Sequence, residues 1–272
     1  ATGEKLSAIA LTEPGAGSDA ASLQSRARRE GDHYILNGRK CFCTMGDVAD
    51  FITIFAKTDP SKGVHGITAF FLESKGAQGF SIGKHENKMG LRGIPNVELI
   101  LDDVHVLAEN RMGPEGAGFK VVMKFFDTAR AIVGAKALGV AQGALDCALQ
   151  YAQERVQFGK PIAEFQAIQF MLADMATEVE AARGIVYKTM AMIDRGEQDV
   201  SKYSAMAKYY ASDVAMKVTT DAVQVLGGYG YMKDYPIERM MRDAKLTQIY
   251  DGTNQIQRIV VARSLLKGKE RK

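Results

Sequence analysis

Tryptophan is missing from the 272 residues, so any stacking on a planar ligand falls to the smaller aromatics. Cysteine is scarce. Cys41, Cys43 and Cys147 are the whole set, and no CxxC spacing joins them. Neither a metal site nor a disulfide framework is expected, which suits a reducing compartment. Charge of one sign is also lacking: 35 basic and 32 acidic residues leave a formal +3, without the concentrated basic field of a nucleic-acid binder. The basic residues of 267–272 read as a solvated tail. No apolar run reads as long enough to cross a bilayer, and residues 1–11 have neither the charged start nor the apolar stretch of a secretory leader. Neither membrane nor nucleic acid is expected as a partner, and the chain reads as cytosolic or already processed.

What is present is a globular composition, 46% hydrophobic, enough for one large or two modest cores. From about 8 to 106 the residues run in short alternating or β-branched stretches, such as Phe51-Ile52-Thr53-Ile54-Phe55 and Ile67-Thr68-Ala69-Phe70-Phe71, separated by glycine-rich turns. Asn37-Gly38, between Tyr34-Ile35-Leu36 and Lys40-Cys41-Phe42, reads as a hairpin turn because both positions tolerate positive φ. After Gly113-Pro114-Glu115-Gly116 the period changes to about 3.6. Phe165, Ile168, Met171, Met175, Val179, Ala182, Val186, Met190 and Ile193 form one helical stripe, closed by Gly196, with its methionines as core filler. Tyr203, Ala207, Tyr210, Val214 and Val218 form another, and 119–155 makes an earlier helix rich in Ala and Gly. With a short terminal helix these give an α+β fold: an all-β, barrel-like domain over 1–110, then a four-helix bundle over 111–272.

The chemistry concentrates near the C-terminus, in Ile249-Tyr250-Asp251-Gly252-Thr253-Asn254-Gln255-Ile256-Gln257-Arg258. Here an acid sits on a glycine turn that leads into a helix. Thr253 or Asn254 can cap that helix, Ile256, Ile259, Val260 and Leu266 are its expected buried stripe, and the free N–H groups of its first turn attract anions.

Four further blocks join this one: Leu11-Thr12-Glu13-Pro14-Gly15-Ala16-Gly17-Ser18-Asp19, Glu154-Arg155-Val156-Gln157-Phe158-Gly159-Lys160-Pro161, Gln224-Val225-Leu226-Gly227-Gly228-Tyr229-Gly230 and Met241-Arg242-Asp243-Ala244-Lys245. Together, in this order, they resemble the acyl-CoA dehydrogenases, flavoproteins of fatty acid metabolism that oxidise acyl-CoA thioesters to 2-enoyl-CoA. Family members carry a helical domain ahead of the first block. Since that block begins here at Leu11, such a domain is expected to be missing or supplied by another polypeptide.

The resemblance implies FAD as cofactor and a base at Asp251, where most relatives have glutamate. The base would take the α-proton of the thioester while hydride leaves the β-carbon for flavin N5, with the ring lodged between barrel and bundle. The backbone N–H of Asp251 and a ribityl hydroxyl would stabilise the thioester oxygen. The family's other position for a base matches Thr128 and Ala129, which carry no carboxylate. Leu11, Thr12, Gly17, Ser18, Phe42 and Thr44 would hold the flavin; Phe42 stands where many relatives have tryptophan, and from its residues alone it reads as core. Arg155, Gln157 and Phe158 of one subunit, with Gln224, Leu226, Gly227 and Gly228 of its neighbour, would hold the adenosine and pyrophosphate, and Thr253 and Gln255 lie near the latter. Gly227 and Gly228 equally suit a helix C-cap. Ser18, Phe126, Asp127, Arg130, Tyr250 and Gly252 would contact the acyl-CoA, although Asp127 and Arg130, three apart, also suit a surface pair.

The implied partners are an acyl-CoA, an electron-transferring flavoprotein and further copies of the chain in a homotetramer, a dimer of dimers. The implied location is the cytoplasm of a bacterium or the mitochondrial matrix. Aspartate is shorter than glutamate by about 1.5 Å. That change leaves open a cyclic or branched acyl group, a different acidic carbon as in the related nitroalkane oxidases that use an aspartate base, or a crippled enzyme. A non-catalytic flavin-binding or DNA-binding relative stands as the reading from another class.

Overall fold

The computed structural model describes residues 2–267, so the basic tail expected over 267–272 lies outside the described residues from position 268 onward. The chain divides into two compact units, Ala1–Lys124 and Phe125–Lys272, where the sequence suggested a division after residue 110. The first turns of the opening helix group with the β unit: a Cβ added at Gly118 would lie 2.7 Å from the backbone of Ala69.

The first unit is built on β1 (Ser7–Ala10), β2 (Arg26–Glu30), β3 (His33–Thr44), β4 (Phe51–Lys57), β5 (Ile67–Glu73), β6 (Phe80–His85) and β7 (Asn96–Leu107). They form a seven-stranded half-barrel sheet in the order β1-β4-β2-β3-β7-β6, with β5 paired to β4. Alternation aims Ile52 and Ile54 of β4 inward, where they meet Tyr34, Leu36, Phe70, Val97, Leu99 and Val104 in one apolar core. Tyr34 is fully buried, and its hydroxyl donates to Glu115 and accepts from Arg111.

The hairpin expected at Asn37-Gly38 is corrected. The turn joining β2 to β3 is Gly31 and Asp32, with Glu30 opposite His33, and β3 runs through Asn37 and Gly38 as a bulge against β7. Two long-range contacts decide this. Asn37 exchanges hydrogen bonds with Asp103 at 2.7 and 2.9 Å, and Gly38 passes so close to Ser25 that a Cβ would lie 2.2 Å from its hydroxyl.

The second unit holds α1 (Gly118–Glu154), the two-residue strands β8 (Val156–Gln157) and β9 (Lys160–Pro161), α2 (Gln166–Asp194), α3 (Val200–Leu226), α4 (Ile237–Thr247) and α5 (Asn254–Lys267). Small residues let α1 and α3 approach: a Cβ at Gly134 would stand 2.9 Å from the Ala207 carbonyl. Met175, Val179, Ala182 and Val186 of the predicted α2 stripe are buried against Ala207, Val214 and Val218 of α3. Gly196 follows α2 with φ of 64°, as expected of a helix terminator.

Three expectations are corrected here. Helix α4 is one more than the sequence reading counted; it follows Pro236, with Glu238 in its first turn and Lys245 in its last, each sign matching the helix dipole. The stripe assigned to α5 is not buried within the chain: Ile256 and Val260 are partly covered, but Ile259 and Leu266 are exposed. Helix α1, by length and composition, is apolar enough to cross a bilayer. In this fold its Ala137, Ala141, Ala144 and Ala148 belong to the bundle core.

Candidate active site

Asp251 sits on the turn between α4 and α5 with φ of 54°, and Gly252 follows at 86°. A non-glycine residue in this region is uncommon and is held there by its surroundings. The clamps are polar. Gln257 of α5 donates from Nε2 to the carbonyls of Asp251 (3.2 Å) and Gly252 (2.8 Å), and the Asn254 N–H closes the loop onto the Gln248 carbonyl at 3.0 Å. Thr253 supplies the helix cap, its hydroxyl accepting from the Ile256 N–H at 3.4 Å. The Asp251 N–H meets no acceptor among the described residues, which leaves it free to donate to a ligand. A Gly252→Ala exchange would add a Cβ 2.7 Å from the Gln257 amide that clamps the turn, in a conformation that L residues avoid. It should cost about 1–3 kcal/mol in thermal unfolding. A misplacement of about 1 Å should also lower turnover roughly a hundredfold.

The Asp251 carboxyl makes no hydrogen bond among the described residues, and desolvation raises it above the ordinary carboxylate range. Lys208, Arg130 and Lys136 pull the other way. Beside it, burial pushes the Tyr250 phenol up to about 12, so it is neutral and uncharged across physiological pH; Lys136 Nζ lies 5.8 Å from its ring centre. The surface pairing of Asp127 and Arg130 is not what forms. Arg130 is 6% exposed, lies 5.3 Å over the Phe126 ring, joins no ion pair among the described residues, and has a buried Nε without a partner. The Asp127 carbonyl instead accepts from Ser204 of α3.

The residue that sequence reasoning missed here is Lys208. It is fully buried, and its Nζ donates to Asn254 Oδ1 at 2.9 Å. The signal lay in its register, on one face of α3 with Ser204, Ser212 and Ala215, all buried. Asn254 is a hub more than a cap: its Nδ2 reaches Asp213 Oδ1 (2.7 Å), Ser212 Oγ (2.8 Å) and the Tyr209 carbonyl (3.3 Å). Burial pulls Lys208 down from 10.5 to about 8, against the upward pull of Asp251 and Asp213. Between those values the folded protein binds fewer protons than the unfolded chain, so this group's contribution to stability rises as pH climbs through that window.

In the first unit, Leu11 and Thr12 are tied to the end of β3 that carries Phe42 and Thr44. The Cys41 N–H donates to the Thr12 carbonyl at 2.9 Å, and Lys40 Nζ to the Leu11 carbonyl at 3.2 Å, tying the first sequence block to the strand. Lys40 is itself fully buried and paired with Glu13 at 2.7 Å. Phe42 is not core: it is 63% exposed with φ of 54°, beside exposed Thr44, and Asn96 Nδ2 bonds the Phe42 carbonyl and the Thr44 hydroxyl at 3.1 Å each. Gly17 and Ser18 are exposed as well, and Leu11 and Thr12 are partly covered.

In the second unit, a cavity of about 500 Å³ is lined by Arg155, Gln157, Leu226, Gly227 and Gly228, together with Tyr151, Tyr229 and Met232. One chain thus brings Arg155 and Gln157 to the same cavity as Leu226, Gly227 and Gly228. Gly227 caps α3 with φ of 60°, and the Arg155 guanidinium lies 5.3 Å over the Tyr229 ring, a contact the sequence did not suggest. Three expected residues lie outside the lining: Phe158, which is 94% exposed at the tip of the β8–β9 turn, and exposed Gln224 and Gln255.

The sequence profile of the acyl-CoA dehydrogenase C-terminal domain matches residues 116–266, and that of the middle domain matches residues 8–104. The chain belongs to the acyl-CoA dehydrogenase family. It is 56% identical to the cyclohex-1-ene-1-carbonyl-CoA dehydrogenase of Geobacter metallireducens, over 96% of this chain and 68% of that one. The caffeyl-CoA reductase-Etf complex subunit CarC of Acetobacterium woodii is 50% identical over 98% of this chain and 70% of that one. The solved butyryl-CoA dehydrogenase of Megasphaera elsdenii superimposes with a TM-score of 0.94 at 52% identity, covering 96% of this chain and 68% of that one. This acyl-CoA dehydrogenase thus spans about two thirds of the length of the relatives it matches.

FAD is the cofactor of the family, and two features of the chain fit it. An aromatic ring is lifted out of β3 beside a threonine, and a cavity holds a guanidinium next to two glycines that leave backbone N–H groups approachable.

Proposed function

We propose that this acyl-CoA dehydrogenase oxidises the α,β bond of an acyl-CoA thioester, with Asp251 as the base. The observation that carries the assignment is the Asp251 turn: a desolvated carboxyl with no hydrogen bond of its own, presented by a clamped backbone whose N–H is free. The carboxylate accepts the α-proton, the Asp251 N–H donates to the thioester oxygen as charge develops there, and a double bond forms between Cα and Cβ as the hydride departs. FAD supplies the hydride acceptor at N5. Phe42, Thr44, Leu11, Thr12, Gly17 and Ser18 would hold the ring; Arg155, Gln157, Leu226, Gly227 and Gly228 the adenosine end. Phe126, Arg130 and Tyr250 would contact the acyl-CoA.

A ring-bearing acyl group is the first substrate to test. Asp251 reaches less far than glutamate by about 1.5 Å, which calls for a substrate carbon that sits closer, and a relative 56% identical is named for a cyclohexene carbonyl-CoA. Electrons would pass to an electron-transferring flavoprotein, a reading supported by the CarC subunit of an Etf complex at 50% identity. Exposed Ile259, Leu265 and Leu266 on α5 are suited to contacts between copies of the chain in a homotetramer.

Purified protein should be yellow, and anaerobic addition of thioesters from a panel of cyclic, branched and straight acyl-CoAs should bleach it, the cyclic ones fastest. Bleaching by none of them would refute the assignment, and peroxide formed from nitroethane in its place would favour a nitroalkane-oxidising flavoprotein.

A further inference from the structure

We propose that Lys208 is the positioning residue for the base: its ammonium holds Asn254, which ties the Asp251 turn to α3, and supplies buried positive charge for the ionised Asp251. The inference rests on the reading of Asp251 as base.

Lys208 is a costly residue to place where it is. A fully buried ammonium has three protons to satisfy, and this one has a single hydrogen bond among the described residues, to Asn254 Oδ1. An apolar side chain of similar volume would fold at least as well at such a site. Its place in the network gives the lysine a purpose. Asn254 stands three residues beyond Asp251 and binds α3 through Tyr209, Ser212 and Asp213, while its own N–H closes the base-bearing turn. Asp213 and the Tyr209 carbonyl take the nitrogen end of the Asn254 amide, and Lys208, with Ser212 Oγ at 3.2 Å, takes the oxygen end, so that both ends are bonded in one orientation.

The charges around the base come from every element packed there. Helix α1 contributes Arg130, Lys136 and Asp127; α3 contributes Lys208 and Asp213; the turn contributes Tyr250; and Arg258 of α5 is bonded to Asp213 at 2.7 Å. Lys208 is the strongest positive influence on Asp251, and Asp251 the strongest negative influence on Lys208. Among the three cations acting on the base, it alone also hydrogen-bonds the residue that closes the turn.

The test uses two variants. Lys208→Gln removes the charge but keeps an N–H donor for Asn254, whereas Lys208→Met removes both. In protein labelled with 13C at aspartate carboxyls, the Asp251 signal is identified by its loss in Asp251→Asn, and its titration is followed in the FAD-loaded enzyme without substrate. Loss of an opposite charge favours the protonated carboxyl, so the midpoint should move up by about one pH unit or more in both variants. The acid limb of flavin reduction should move with it. At high pH the Met variant should reduce flavin at least tenfold more slowly than the Gln variant, which retains the donor to Asn254.

An unmoved Asp251 midpoint in either folded variant overturns the electrostatic role, and equal maximal rates in the two overturn the anchoring role. Should the Met variant fail to fold, the Gln variant still decides the midpoint, and Asn254→Ala, which breaks the same tie with Lys208 intact, decides the anchoring by the same rate comparison. If Asp251→Asn reduces flavin normally, the base assignment fails, while the NMR midpoint reports the coupling of the two residues independently.

Discussion

Asp251→Asn should lower the rate of flavin reduction by an acyl-CoA by roughly 10²–10⁴-fold while FAD stays bound, the range that removal of a general base produces. Fold should survive the exchange. The turn is held through backbone carbonyls and the Asn254 N–H, and the Asp251 side chain contributes no hydrogen bond among the described residues. Asparagine has nearly the same shape and tolerates the left-handed backbone at this position. Wild-type reduction should fall as pH drops through a midpoint above the ordinary aspartate value of 3.8, because the working base is the ionised form and desolvation raises it. The residual rate of the variant should lack that acid limb. Stopped-flow bleaching from about pH 5 to pH 8 would check both; a variant within a few-fold of wild type would place the base elsewhere.

Lys40→Met should destabilise the first unit by roughly 3–5 kcal/mol at neutral pH, the cost of leaving one member of a buried ion pair alone. Lys40 is fully buried and Glu13 nearly so, which removes solvent screening from the argument. Burial by itself would raise the Glu13 carboxyl; Lys40 and the N–H groups of Gln24 and Ser25 outweigh it and hold the carboxyl below its usual 4.5. The wild type therefore loses this contribution as pH falls through that lowered value. In the variant the same carboxyl, stripped of its cation, should rise above its unfolded value, so that protonation relieves the penalty. The gap between the two proteins should be widest near neutrality and narrow in acid. Urea unfolding at two pH values measures it, and FAD affinity should drop in parallel because Lys40 also fixes the Leu11 carbonyl. A gap that widened in acid would contradict the pairing.

The parts of this protein that could be read from sequence are those set by local period and local chemistry. The α2 stripe through Met175, Val179, Ala182 and Val186 is buried because side chains at threes and fours share a face, and Phe51 to Phe55 lies in a strand because its inward residues alternate. The terminal turn was legible because Gly252, followed by the capping candidates Thr253 and Asn254, marks a turn into a helix. What stayed hidden depended on partners far along the chain. Asn37-Gly38 has hairpin chemistry, but Ser25 and Asp103 turn it into a bulge. Lys40 and Lys208 interrupt apolar patterns as charges, and only the fold reveals Glu13 and Asn254 waiting for them. Arg155 and Gly227 lie some seventy positions apart, and only the bundle brings them to one cavity.

The mounting of the catalytic acid bears on how such enzymes diverge. Since neighbouring amides fix the loop by its main chain, the turn depends on no hydrogen bond from the carboxylate itself. A lineage could lengthen or shorten that acid in a single codon change and alter which carbon it reaches, with the scaffold indifferent to the exchange.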